Sequence, residues 1–199
     1  MRAQNIPAAG QAINGRSKTY TIVMTAMMMC IIMVAILVLR IPIPFTQGYV
    51  NLSDAMIFMA VIILGWKYGA VAAGLGSMLG DLLCGFAMWA PWSLGIKAGM
   101  AVIFGLIIQS VANRNNVTDG RFVTVEILGM VLAGCFMAAG YFAAEGIMYG
   151  NWPVAALGIP WNVGQFAVGT ALAVVLNRVL GKTSLRSRMA YAMPLHTSV

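Results

Sequence analysis

Four charged side chains, Asp54, Asp81, Lys97 and Glu145, project to the same half of otherwise apolar stretches, while Asp119 and Glu126 belong to the opposite end, and any chemistry has to be built on the first four. A charge near the middle of a bilayer costs roughly 2.5–3.5 kcal/mol, so such a residue normally faces a partner or a wet cavity. Asp81 and Lys97 fall at similar depth on successive apolar segments. They either form a structural pair or one of them meets a ligand. Glu145 lies four residues after Tyr141, a spacing that puts both on one helical face. Trp161 and Gln165 share a side in the same way, with Asn162 adjacent. An interfacial aromatic girdle accounts for Trp89, Trp92, Trp152 and Trp161. It does not account for Asp81, Lys97, Glu145, Asn162 and Gln165 collecting at one level. Flat aromatics with a few hydrogen-bonding groups make a site for a small ring-bearing molecule.

Other chemistries lack their residues. The single histidine, His196, is near the C-terminus, so histidine catalysis within the apolar segments is excluded. Cys30, Cys84 and Cys135 sit in apolar runs at no metal-binding spacing and read as packing residues. No metal or cofactor is expected. Gly181-Lys-Thr183 resembles the end of a phosphate-binding loop, but Leu176 stands where that loop needs glycine and no strand precedes it. An intramembrane enzyme would therefore rest on Asp81 or Glu145 alone. A small homo-oligomeric channel would need polar faces through the full thickness, whereas the halves of the segments away from Asp81 and Glu145 are almost wholly apolar.

These residues must be positioned by helices in lipid. The chain is 61% hydrophobic and 9% charged, against about 25% charged for a soluble domain. The expected fold is an all-α membrane protein, a six-transmembrane-helix bundle with both termini cytoplasmic. Residues 1–18 form a polar N-terminal segment, 19–181 the transmembrane domain and 182–199 a basic, poorly ordered tail. The spans are expected at about 19–39, 51–64, 69–88, 92–111, 122–148 and 161–180. The first is too long for a cleaved signal and ends at Arg40-Ile-Pro-Ile-Pro44, which cannot continue a helix. Ser53 or Asp54 would cap the second.

Lysine and arginine set the orientation. With the N-terminus inside, Arg2, Arg16, Lys18, Lys67, Arg114, Arg121, Arg178, Lys182, Arg186 and Arg188 are cytoplasmic, and only Arg40 and Lys97 lie toward the outside. The net charge of +7 thus belongs to a membrane topology and not to a nucleic-acid surface. An odd number of spans would put the basic tail on the wrong side.

Small residues four apart recur: Ala72, Gly76 and Gly80; Gly95 and Gly99; Gly134 and Ala138; Ala167 and Ala171. They allow close helix approach within the bundle. In the first span, Ala26 and Cys30 lie among methionines and suit internal packing or contact with lipid on one reading, and a docking face for a partner helix on the other.

Three stretches carry a family resemblance: Asn51-Leu-Ser-Asp-Ala-Met-Ile-Phe-Met-Ala60; Gly65-Trp-Lys-Tyr-Gly-Ala-Val-Ala-Ala-Gly-Leu-Gly-Ser77 with Asp81; and Ala90-Pro-Trp-Ser-Leu-Gly-Ile-Lys-Ala-Gly99. Together they resemble the substrate-binding S components of energy-coupling factor (ECF) vitamin transporters. The resemblance covers the first four spans and extends to the rest by length and topology. It implies a multi-pass plasma-membrane subunit that binds a vitamin or precursor near the outer surface. It also implies a transmembrane coupling subunit and two cytoplasmic ATPase subunits as partners, with no ATP hydrolysis in the chain itself. Ala26 and Cys30 match the family's small-xxx-small docking pattern, with cysteine where alanine is commoner. On this reading Gln47 to Asn51 form part of a lid. Trp92, Lys97, Tyr141, Glu145, Trp161, Asn162 and Gln165 line the pocket, the tryptophans stacking on a ring and Lys97 and Glu145 fixing its substituents. Such a pair suits a neutral or zwitterionic ligand. The nearest likeness is to members for hydroxymethylpyrimidine or vitamin B6 compounds; pantothenate and riboflavin stay open.

Overall fold

The computed structural model describes residues 17–44, 48–112, 118–183 and 189–191. Its helices are α1 (Lys18–Val38), α2 (Ser53–Leu64), α3 (Trp66–Leu83), α4 (Ala90–Ala112), α5 (Asp119–Tyr149), α6 (Trp152–Leu157) and α7 (Ile159–Gly181). Two short strands, β1 (Arg40–Pro42) and β2 (Tyr49–Asn51), join α1 to α2. Short connections make successive long helices run in opposite directions, so the hairpin, the α3–α4 turn and α6 share one end of the bundle.

The hairpin was not expected. Arg40 pairs with Asn51, Ile41 with Val50 and Pro42 with Tyr49. Proline is tolerated because each strand has a free edge. Residues 45–47, and with them Gln47, lie outside the described residues.

Among the described residues four helical stretches are long and apolar enough to cross a membrane: Lys18–Val38, Ala90–Ala112, Gly120–Tyr149 and Trp152–Gly181. The other two expected spans differ for physical reasons. The 12 residues of α2 extend only about 18 Å. Nearly all of them are buried, with α1, α3, α4 and α7 packed around them. The next helix, α3, carries four glycines with Lys67 and Asp81. Gly65, at φ 81°, makes the sharp break between α2 and α3, a backbone conformation glycine adopts at no steric cost.

Glycine also sets helix spacing, as expected for Gly76 and Gly80. A Cβ on Gly76 would stand 2.9 Å from the Met29 carbonyl oxygen, and one on Gly80 would stand 2.8 Å from Ile36 Cδ1. Helix α1 therefore buries a single seam of Thr21, Thr25, Met28, Ile32 and Ile36 and leaves Ala26 and Cys30 exposed. Internal packing is thus ruled out for those two. Ala167 and Ala171 are exposed as well, so they do not serve contacts inside the subunit.

Capping departs from expectation too. Neither Ser53 nor Asp54 caps α2. The Asn51 side chain accepts the Ser53 N–H at 2.9 Å, which frees Asp54 to turn inward. At the other end of α2, the Ala190 and Tyr191 N–H groups donate to the Ile62 carbonyl, each at 3.0 Å. They satisfy an acceptor that a helix C-terminus leaves open. Met189, Ala190 and Tyr191 are buried, so this part of the tail has a fixed place, against the expectation of disorder.

Candidate functional site

The site lies where the hairpin covers the ends of α3, α4, α5 and α7. Its core is an ion pair inside the protein. Lys97 Nζ on α4 is 2.5 Å from Asp54 Oδ1 on α2, with the two side chains 1% and 0% exposed. Lys97 also meets Met137 Sδ at 3.0 Å and sits 5.5 Å from the centre of the Tyr141 ring. Gln165 on α7 completes the arrangement. Its Nε2 donates to Asp54 Oδ2 at 2.9 Å, and its Oε1 accepts the Asn51 N–H at 2.8 Å. One side chain therefore ties the hairpin, α2 and α7 together. Close approach makes this possible: a Cβ on Gly169 would stand 2.7 Å from Asp54 Cβ.

Of the two readings open for Asp81 and Lys97, the structural pair is not formed: Lys97 pairs with Asp54. Sequence depth placed both at one level, but Asp54 reaches Lys97 first from the central helix. Asp81 instead accepts the Tyr49 hydroxyl on Oδ1, and its Oδ2 has no hydrogen-bond partner among the described residues. Tyr49 is on the hairpin, outside the spanning segments. Burial, and next the Asp81 carboxylate, push its hydroxyl well above the usual phenol range, so it remains a donor.

Above this layer is a pocket of about 430 Å³, its open mouth included, lined by Ile43, Gly48, Tyr49, Asn51, Asp81, Trp89, Ser93, Tyr141, Glu145, Asn162 and Gln165. Of the residues expected on its wall, Asn51, Tyr141, Glu145, Asn162 and Gln165 are there. Lys97 is beneath it, closed off by Asp54. Trp92 is half-buried elsewhere on α4, and Trp161 is 41% exposed. The buried seam of α7 runs through Asn162, Gln165, Phe166, Gly169 and Ala173, which leaves Trp161 at the rim, where tryptophan suits a membrane interface.

Tyr49 comes from the expected lid segment, and Trp89 and Ser93 join the wall without having been expected there. Two of them carried a signal: counting back from Lys97 by four and eight residues along one helical face gives Ser93 and Trp89, not Trp92. The Trp89 and Tyr141 rings are 5.9 Å apart at 54°, and the Ser93 and Tyr141 hydroxyls are 2.9 Å apart. Asn162 Nδ2 is engaged by the Gly158 carbonyl at 3.1 Å. The wall thus offers two carboxylates, several hydroxyls and two aromatic faces. Among the described residues no group of side chains could hold a metal ion.

Comparison with known proteins agrees with this architecture. Residues 16–182 match the family described as ECF-type riboflavin transporter, S component. A thiamine precursor transporter, HmpT, of Lactococcus lactis subsp. cremoris (strain MG1363) is 31% identical over 72% of this chain and 77% of its own. An uncharacterised protein of Pyrococcus woesei is 32% identical over 74% of this chain and 95% of its own. A solved structure of the S component of a bacterial ECF transporter superposes with a TM-score of 0.62 at 19% identity, covering 82% of this chain and 96% of that one. At that identity the likeness speaks for the fold. The chain belongs to the S-component family of ECF-type transporters, a family of membrane subunits for vitamin or precursor uptake.

Proposed function

We propose that this chain is the specificity subunit of an ECF-type importer for a small nitrogen-containing ring, with hydroxymethylpyrimidine or a vitamin B6 compound as the best fit. The observation that carries the reading is the charge of the pocket. Among the described residues the amine beside it, Lys97, is neutralised by Asp54, and Asp81 and Glu145 stand on the wall. Such a wall asks for N–H and O–H donors, which an aminopyrimidine or a hydroxylated pyridine supplies. This revises the zwitterionic preference drawn from the sequence, because Lys97 is not available to an anionic group. Pantothenate, which carries a carboxylate of its own, would meet like charge. The family description names riboflavin and one relative is named for a thiamine precursor; the reading follows the relative.

In this reading Trp89 and Tyr141 provide the aromatic faces, and Asp81 and Glu145 accept from ring substituents. Ser93, Asn162 and Asn51 complete the polar wall. The hairpin is the lid, with Gln47 at its tip and Tyr49 latching it to Asp81. The pocket end faces outside, with both termini cytoplasmic. A transmembrane coupling subunit docks on the α1 face bearing Ala26 and Cys30, and two ATPase subunits drive transport. Trp92, Trp161 and Lys97 act around the site without touching the ligand.

The test is to identify any small molecule that co-purifies with the protein by mass spectrometry. Hydroxymethylpyrimidine, pyridoxine, thiamine, pantothenate and riboflavin are then titrated against tryptophan fluorescence. Saturable binding of hydroxymethylpyrimidine or pyridoxine with quenching is expected. Saturation by riboflavin or pantothenate alone would overturn the substrate assignment, and no saturable binding by any of the five would overturn the function.

A further inference from the structure

A second buried polar site lies at the opposite end of the bundle, between α5 and α7. Glu126 is 0% exposed and Asn177 is 1% exposed, and Asn177 Nδ2 donates to Glu126 Oε1 at 2.6 Å. Glu126 and the pocket residue Glu145 are both on α5, and the 19 residues between them (145 − 126) amount to about 28 Å of helix. Two atoms of this pair, Glu126 Oε2 and Asn177 Oδ1, are buried without a hydrogen-bond partner among the described residues. Both are acceptors if Glu126 is ionised. A carboxylate and an amide oxygen would then be left unsatisfied side by side, an arrangement that buried polar groups rarely tolerate. A proton on Oε2 turns one orphan into a donor for the other. Acid and amide then close a ring of two hydrogen bonds, Nδ2–H to Oε1 and Oε2–H to Oδ1.

We propose that Glu126 and Asn177 form a proton-binding site, in which Glu126 holds a proton as a neutral carboxylic acid while α5 and α7 are closed at this end. One neighbouring charge opposes this, from the protein surface. Among the described residues the charged groups toward this end are Lys18 on α1, Lys67 on α3, Arg121 on α5 and Arg178 and Lys182 on α7, all exposed. Arg178 is the one that acts on the Glu126 carboxyl, in favour of the ionised form, while full burial of that carboxyl disfavours the charge. Glu126 stands beyond the first turn of α5, where the pull of the helix dipole on a negative charge has faded. Helix α4 approaches the next turn with Phe104 and Ile107, and α2 ends in Ala60-Val-Ile-Ile-Leu64; neither stretch brings a titratable group. Tyr191, on the segment that closes α2, is engaged by the Trp66 backbone. Parting α5 from α7 at this end admits water and lets the acid ionise, so opening there is linked to proton release.

The experiment is infrared difference spectroscopy of the purified full chain against Glu126→Gln at neutral pH, with thermal unfolding of both. Glutamine keeps both hydrogen bonds to Asn177. The expected result is loss of a deuteration-sensitive carboxylic-acid carbonyl band in Glu126→Gln with no fall in unfolding temperature. If Glu126→Gln does not fold, Asn177→Ala gives the same answer, since an acid that loses its partner shifts its band to higher wavenumber. No acid band lost in Glu126→Gln and none moved in Asn177→Ala means an ionised carboxylate and overturns the proposal. So does an absent band with an unfolding temperature that rises on adding sodium or potassium, which would mark a bound cation in place of the proton.

Discussion

Lys97 and Asp54 form an ion pair that solvent does not reach, with Nζ 2.5 Å from Oδ1, and it ties the central helix α2 to α4 directly beneath the pocket. Breaking one side of such a pair strands the other charge and costs about 3–5 kcal/mol. Lys97→Met is therefore expected to lower the unfolding temperature sharply. Lys97→Met with Asp54→Leu removes both charges and should recover most of the loss. Because Lys97 is not on the pocket wall, the double variant should still bind ligand. A double variant that folds but has lost all binding would show instead that Lys97 reaches the ligand.

Asp81 lines the pocket, with its carboxylate accepting the Tyr49 hydroxyl and the Ser93 hydroxyl acting on it. A hydrogen bond to a charged acceptor contributes about 1.5–3 kcal/mol. Asp81→Asn is expected to weaken hydroxymethylpyrimidine or pyridoxine binding by a factor of about 10–150, the equivalent of that energy, with little change in unfolding temperature. Fluorescence titration measures it. Unchanged affinity would remove Asp81 from the ligand contacts.

The extent to which this site could be read from sequence depends on which signal each residue carried. Glu145 and Tyr141, or Asn162 and Gln165, were legible because helical periodicity places them together and each is rare in an apolar run. The Asp81–Lys97 pairing failed because depth along two helices says nothing about a third helix between them. Asp54 looked like a cap by its position after Asn51-Leu-Ser, yet Asn51 does that work and the central, buried α2 carries Asp54 inward. Tyr49 was placed in the lid by its segment but not on Asp81, because hairpin pairing across residues 42–49 is a tertiary fact. The all-helical, membrane-type character was legible in hydropathy, with four of the expected spans long and apolar enough to cross. The shortness of α2 and the seating of Ala190 and Tyr191 on its last turn depend on packing that no local pattern reports.

Tyr49 gives a pH test of the lid. Burial and the Asp81 carboxylate raise its hydroxyl above the ordinary value of about 10. A group whose folded value is raised contributes stability that is complete below the unfolded value and is lost as pH climbs past it. The Tyr49 latch should therefore be intact from neutral pH to about 10 and weaken only above that. In an ultraviolet titration of the folded protein, wild type and Tyr49→Phe should show the same phenolate absorbance up to that point. If Tyr49→Phe lowers the absorbance change at or below the ordinary phenol value, the hydroxyl is not latched on Asp81.

The α1 face separates docking from binding. Ala26 and Cys30 are exposed, while the seam of α1 that packs inside the subunit runs through Thr25, Met28 and Ile32. A bulky side chain at either exposed position meets no atom of its own subunit and should leave unfolding temperature and ligand affinity unchanged. A coupling helix pressed onto that face needs small residues to approach closely, so Ala26→Trp or Cys30→Trp should abolish uptake into cells or vesicles that carry the assembled transporter. Pull-down of the coupling subunit through each variant locates the defect. Full uptake in both variants would mean that the partner docks elsewhere, with the exposed Ala167 and Ala171 on α7 as the next surface to probe in the same way.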